Sequence, residues 1–305
     1  MLWLEHPRYV AARERLISYL RSDRYRFRRL SPVVFLCGGA SSASRETLYE
    51  YLRKHFTSLG LFYAERVWEQ IASREDLSAL AVEEELAQLA DLVVIIVESP
   101  GTFAELGAFS LSEPLRKKLL PIVDIQYAHN QSSFLATGPL RWIDKESAFR
   151  PTIYAPLLRI LEAVDQIEDR FKRIPESHST KIDDLAASPK HLLFFLCDLV
   201  SVIHPATDQI IEFYIGRIAP SIVCSSVNVR MLIGLAVAME LLKVNKVKIG
   251  DKEIIFYSPA TISAIERPFH HGMFLHLPSQ RAAHASVLLT IPQAKAVLES
   301  LGKVS

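Results

Sequence analysis

The segment Glu98-Ser-Pro-Gly-Thr-Phe-Ala-Glu105 gathers carboxylates, hydroxyls and a glycine turn directly after an unbroken apolar run, Leu92–Val97. An ionised carboxylate held at such a place can attack the anomeric carbon of a ribosyl group, because an oxocarbenium-like transition state is stabilised by a nearby anion. The spacing predicts a helix starting near Phe103, with Glu105 in its first turn, where the helix dipole favours the ionised form. Glu105 is the leading catalytic candidate, the alternative being a carboxylate that is no more than a favourable partner of the dipole. Ser99, Pro100, Gly101 and Thr102 then form the turn and are candidate substrate-binding residues.

A second turn, Gly38-Gly39, closes the short apolar run Val33–Cys37 and also leads into a helical stretch. Backbone N–H groups at such turns can approach a phosphate or a sugar closely. Cys37, Gly38 and Gly39 join the substrate-binding set, although the plain reading of Cys37 is inert packing. Glu65 and Glu98 sit at or near strand ends, where either could hydrogen-bond ribose hydroxyls or orient the nucleophile, or do neither. Tyr63, Phe103 and Phe109 read as core or pocket wall. His129, His270, His271 and His276 lack a partner carboxylate or a metal spacing. No metal or cofactor is expected. A serine-hydrolase elbow, a P-loop lysine and a full G-x-G-x-x-G fingerprint are missing.

These residues need a scaffold, and the order of apolar runs supplies one. Strands are predicted at 33–37, 60–63, 92–97 and 119–124, with helices near 7–20, 44–59, between 66 and 89, and 154–171. Leu92–Val97, largely β-branched, suits a central strand buried on both faces. Strands alternating with helices make an α/β, Rossmann-like doubly wound parallel sheet, in which ligands bind outside the carboxyl ends of the strands. Residues 1–171 are taken as this catalytic domain with a basic N-terminal helix, and 172–188, polar and proline-bearing, as a linker. Residues 189–305 read as a mainly α winged helix-turn-helix domain: helices near 190–203, 207–218 and 225–242, then strands 246–249 and 253–257, with later helices near 261–267 and 292–301.

The 35 basic and 34 acidic residues give a net charge of +1, so overall charge selects neither nucleic acid nor membrane as a partner. Locally the balance is uneven. Residues 1–30 hold eight arginines against three acids, and Arg24, Arg26, Arg28 and Arg29 form either a solvated face or a contact for phosphates or an acidic partner. Three widely spaced cysteines suit a reducing, cytoplasmic compartment. No apolar run reaches the length of a membrane span, and no membrane contact is expected.

With these residues assembled, the chain resembles nucleoside 2-deoxyribosyltransferase-like proteins and, more closely, the effector toxins encoded beside retron reverse transcriptases in antiphage defence. The resemblance rests on Phe35-Leu-Cys-Gly-Gly39, Phe62-Tyr-Ala-Glu65, Glu98–Ser110 and, less strongly, Gly138-Pro-Leu-Arg141, within roughly residues 30–170. It implies that Glu105 is the nucleophile and that the glycine loops form a nucleotide pocket. It further implies cleavage of an N-glycosidic bond, with NAD as substrate, and restraint by a complex of the reverse transcriptase with its branched RNA-linked DNA in a higher-order assembly. Competing readings are a nucleoside or nucleotide N-glycosidase or deoxyribosyltransferase, and a non-catalytic nucleotide sensor with a winged-helix output.

Overall fold

The computed structural model describes residues 3–21, 26–27, 31–39, 41–63, 86–87, 89–175, 180–181, 185, 188–220, 229–260 and 277–302. The chain divides into two compact units, Ser31–Glu176 and a second made of Met1–Leu30 with Ser177–Ser305. The break falls inside the expected linker. The first thirty residues, however, group with the C-terminal part and not with the sheet, which corrects the expected domain 1–171.

The first unit is built on parallel strands β2 (Val33–Cys37), β3 (Gly60–Phe62), β4 (Leu92–Val97), β5 (Leu119–Asp124) and β6 (Ile153–Ala155), in the spatial order β3-β2-β4-β5-β6. Every residue of β4 is fully buried, as its β-branched run requires. Alternation assigns its side chains to opposite layers. Leu92, Val94 and Ile96 join a cluster with Val34 and Leu36 of β2 and with Leu48, Tyr49 and Leu52 of helix α2 (Ala43–His55). Helix α3 (Pro100–Leu111) leaves β4 and buries Leu106 and Phe109. Its neighbours along the chain are the short helix α4 (Glu113–Arg116) and, beyond β5, α5 (Arg141–Glu146).

Winding reverses between two strands. From β2 the chain moves outward to β3, then passes back to pair β4 on the other side of β2, with Cys37 opposite Ile95. The carboxyl ends of β2 and β4 therefore flank the topological switch point, where a crevice is expected because the connections diverge.

Two sequence expectations for this unit change. The helix expected over 154–171 begins as strand β6, paired with β5 through Ile122 and Ile153, then makes 3-10 turns over Leu157–Ala163 before α6 (Val164–Phe171). Pro156 is the cause: it lacks an N–H and holds Ala155 extended. The helix expected from Phe103 starts at Pro100, because Ser99 and Thr102 form a reciprocal capping box.

The second unit contains α1 (Pro7–Arg21), the paired dipeptide strands β1 (Arg26–Phe27) and β7 (Thr180–Lys181), and α7 (Pro189–Ile203), whose Leu192–Ile203 run is wholly buried. Helices α8 (Asp208–Ile218) and α9 (Val229–Ala238) precede a hairpin of β8 (Leu242–Ile249) and β9 (Lys252–Pro259), and α10 (Leu277–Leu288) and α11 (Pro292–Gly302) follow. The helix expected to reach Leu242 stops at Ala238, after which Glu240 adopts a left-handed backbone with φ 55°. The valine-lysine alternation after Leu242 then favours a strand, and β8 starts four residues before the expected Lys246. Helix α10 was not expected, and the helix predicted near 261–267 lies outside the described residues, as do residues 221–228. Among the described residues no helix is long and apolar enough to cross a membrane, and no cluster of His, Cys, Asp and Glu could hold a metal ion.

Candidate active site

The two loops predicted from glycine turns meet at the switch point. Glu98, half-buried at the end of β4, accepts a hydrogen bond from the Gly39 backbone N–H through Oε1 at 3.0 Å. A Cβ on Gly39 would stand 3.4 Å from both Cβ and Oγ of Ser99, an ordinary contact distance, so the two loops lie within van der Waals reach of each other. At Gly38 the fit is tighter. Its carbonyl accepts from Nη1 of Arg45 at 3.2 Å, and a Cβ would lie 2.9 Å from Cδ of that arginine.

The loop after β4 largely holds itself. Ser99 Oγ accepts from the Thr102 N–H at 3.3 Å, while Thr102 Oγ1 accepts from the N–H groups of Glu98 and Ser99 at 3.0 Å each. The Thr102 hydroxyl also donates to the Ser99 carbonyl at 2.9 Å, and the residue is buried. Thr102, a substrate-binding candidate on sequence, is thus a structural cap. Pro100 and Gly101 are exposed in the first turn, and a Cβ on Gly101 would meet only Ser99 Oγ, at 3.8 Å. Cys37 is a buried thiol beneath the crevice.

Glu105 is half-buried and lies in the second turn of α3, because the cap starts the helix at Pro100. The helix dipole falls off within the first turn, so it contributes less to this carboxylate than the sequence suggested. Glu105 flanks the buried stripe of Thr102, Leu106 and Phe109, and Cβ atoms of a helix tilt toward its N-terminus, here toward the strand ends. Glu65 falls outside the described residues, as do Arg24, Arg28 and Arg29; Arg26 pairs with Lys181 in β1 and β7.

Residues 41–244, about two thirds of the chain, match the family model described as STM3845 retron effector protein. The chain belongs to this retron effector family. A relative from Escherichia coli, named "Retron Ec86 putative ribosyltransferase/DNA-binding protein", is 37% identical over 137 residues, which cover 43% of this chain and 44% of the relative. A second, "Retron Ec73 putative ribosyltransferase/DNA-binding protein", also from Escherichia coli, is 35% identical over 122 residues, 37% of this chain and 38% of the relative. The chain therefore spans under half the length of the curated relatives it matches.

In this retron effector, sequence reasoning passed over Arg45. It sits in the first turn of α2, capped by Ser42, whose Oγ accepts from the Arg45 N–H at 2.9 Å. Its side chain is buried, with the guanidinium 4.5 Å from the centre of the Tyr63 ring. A cation beside the Gly38 carbonyl brings positive charge to a rim that otherwise carries Glu98 and the half-buried Asp124 at the end of β5. The signal available was an arginine three residues into a capped helix directly after a glycine turn. Ser41, in that same loop, adopts a left-handed backbone with φ 64°.

Proposed function

We propose that this retron effector is an N-glycosidase that hydrolyses NAD to nicotinamide and ADP-ribose, with Glu105 as nucleophile and the Gly38-Gly39 and Ser99–Gly101 loops holding the substrate. The single observation that carries this reading is the Glu98–Gly39 hydrogen bond, which locks two backbone-lined loops together at the switch point next to the helix that bears Glu105. The Glu105 carboxylate attacks C1′ of the nicotinamide riboside, and the C1′–N bond breaks with its electron pair going to the ring. A pyridinium leaves as a neutral base, so departure needs no general acid. Water then displaces the carboxylate from C1′, giving ADP-ribose and a proton. Arg45 adds positive charge suited to the pyrophosphate.

The relatives' printed names favour a second reading, in which another nucleoside or a base, rather than water, accepts the sugar. Incubating the purified protein separately with NAD and with deoxynucleosides, and identifying products by mass, distinguishes the two. Nicotinamide release supports the first reading, base exchange supports the second, and neither product sinks both.

We further propose that the second unit is a winged-helix-like module that docks on the reverse transcriptase with its RNA-linked DNA. In α9, Met231–Ala236 are buried and Arg230 is held by Glu212 at 2.6 Å, which leaves that helix little to offer a groove. The hairpin instead exposes Lys243, Lys246, Lys248 and Lys252. Contact through these lysines would make association salt-dependent.

A further inference from the structure

A cavity of about 630 Å³ opens between α3 and α5, lined by Gly107 and Leu111 on one side and by Phe134, Gly138 and Trp142 on the other. Its size lies within the range of small-molecule sites. The residues fall into two parallel series with the same spacing. Gly107 and Leu111 stand four residues apart on α3, and Phe134, Gly138 and Trp142 follow at intervals of four through the π-helical turn Ala136–Leu140. At Gly138 the space is taken by the Phe134 ring, 3.6 Å from where a Cβ would stand, whereas at Gly107 it is open. A Cβ added to Gly107 would meet nothing within 4 Å.

Trp142 is fixed before any ligand arrives. Its indole N–H donates to Glu146 Oε1 at 2.8 Å, and Arg116 lies 3.9 Å from its ring centre. Arg116 in turn binds Glu146 Oε2 through Nε at 2.9 Å and Nη2 at 2.8 Å. Hydrogen bonds from Arg116 and then from Trp142 hold the Glu146 carboxyl below the ordinary carboxylate range. With Arg116 on one side of the ring, the surface that Trp142 gives to the cavity is a rigid aromatic platform, whose ordering no ligand has to repeat.

The polar atoms of the lining narrow the ligand. The Ser110 hydroxyl donates to the Gly107 carbonyl and the Thr137 hydroxyl to the Ser133 carbonyl, each at 2.8 Å. Their hydrogens are committed, so both present lone pairs and suit a ligand that donates N–H groups. Arg141 and Lys145 complete the lining with positive charge. An aromatic ring bearing an amino group and joined to an anion answers all three features.

We propose that this cavity binds a nucleoside phosphate, with its base against Trp142 and its phosphate at Arg141 and Lys145. The site is separate from the crevice at the carboxyl ends of β2 and β4, and the inference does not rest on Glu105 being a nucleophile.

The test is calorimetric titration of the full-length protein with AMP, and separately with adenosine. Gly107→Leu fills the cavity with a helix-favouring side chain that has space to enter, so the variant should fold. It should weaken AMP binding roughly tenfold or more, the scale of losing a base–aromatic stack, and Trp142→Ala should do the same. Reversing Arg141 and Lys145 to glutamate should weaken AMP and leave adenosine unchanged. Glu105→Gln should leave AMP binding at this cavity intact. The proposal is overturned if AMP gives no binding at millimolar concentration, or binds Gly107→Leu as tightly as wild type. It is equally overturned if Gly107→Leu alters the sedimenting mass while AMP leaves the wild type unchanged, because the cavity would then be a protein interface.

Discussion

In the sheet unit, Glu98 ends β4 and Glu105 lies in the helix that follows, both half-buried, while Arg45 is buried against the Gly38 carbonyl. In the helical unit Tyr9, Tyr214 and His284 are buried, and His204 and Arg281 beside them are half-buried. Tyr9 of α1 and Tyr214 of α8 hydrogen-bond at 3.0 Å, and His284 of α10 meets the Tyr9 hydroxyl at 2.7 Å. Arg281, one turn earlier on α10, donates to the carbonyls of Val202 and His204. Burial pushes His284 down to about 3 and His204 down to about 4, with the Arg281 charge adding to both. Desolvation likewise raises both tyrosines. The interior network is thus fixed in one protonation state across physiological pH and ties helices together, whereas the rim stays open to a ligand. Similar residue types serve cohesion in one place and the proposed chemistry in the other, and the difference is access to water.

The largest expected effect lies at the rim. Glu105→Gln is nearly isosteric, so the sheet unit should melt as wild type does while NAD turnover falls on the order of 10³-fold or more. Wild-type turnover in a folded variant would remove the distinction between rim and interior.

Glu98 sharpens it. Glu98→Ala deletes the acceptor for Gly39 N–H and lets the two loops part, which should lower kcat/KM by about a hundredfold through misplacement and cost about 1 kcal/mol of stability. Glu98→Gln keeps a carbonyl acceptor and should retain most activity. Equal loss in both variants would show that the carboxylate touches substrate instead of bracing the loops.

The interior network makes the converse forecast. Tyr9→Phe should cost about 1–2 kcal/mol in unfolding and leave turnover unchanged. Acid acts on the same place. Folded His284 and His204 resist protons that the unfolded chain accepts near its ordinary value of 6.5. Their contribution to stability is therefore complete above about pH 6.5 and is lost as pH falls toward the folded values near 4 and 3. Circular dichroism melts between pH 7 and pH 4 should show this decline, and replacing His284 with Gln should flatten part of it.

The smallest effect concerns the loop after β2. Ser41 holds a left-handed backbone that glycine adopts more readily, so Ser41→Gly should raise the melting free energy by about 0.5 kcal/mol. A loss of stability would mean that the serine side chain makes the loop.

The strands that carry the rim were legible because their apolar runs are long and β-branched: Val33–Cys37, Leu92–Val97 and Leu119–Asp124 all appear as expected. Gly60–Phe62 was also readable, although it is only three residues long. Ile153–Ala155 was not, because its apolar residues run on into a helical pattern and only Pro156 marks the boundary. The start of α3 was misread for a related reason. Ser99-Pro-Gly-Thr has the composition of a turn, yet Pro at the first helical position with a serine cap before it also opens helices. The Glu98–Gly39 bond could not be read at all, since it joins residues 59 apart in the chain and depends on strand order. Arg45 was hidden by its own surroundings: a charged residue in an amphipathic helix is ordinarily solvated, and only the fold shows it buried.

The position of the two rim strands has a temporal consequence. Both β2 and β4 are hydrogen-bonded to a neighbour on each side, β2 between β3 and β4, and β4 between β2 and β5. Partial openings that release β3 or β6 from the sheet leave the β2–β4 ladder closed, so the amides of Val94 and Ile95 belong to the slowest-exchanging class. The crevice is then kept in register by the part of the sheet that opens last, and the geometry around Gly39 and Glu98 outlives the fraying of the strands beside it.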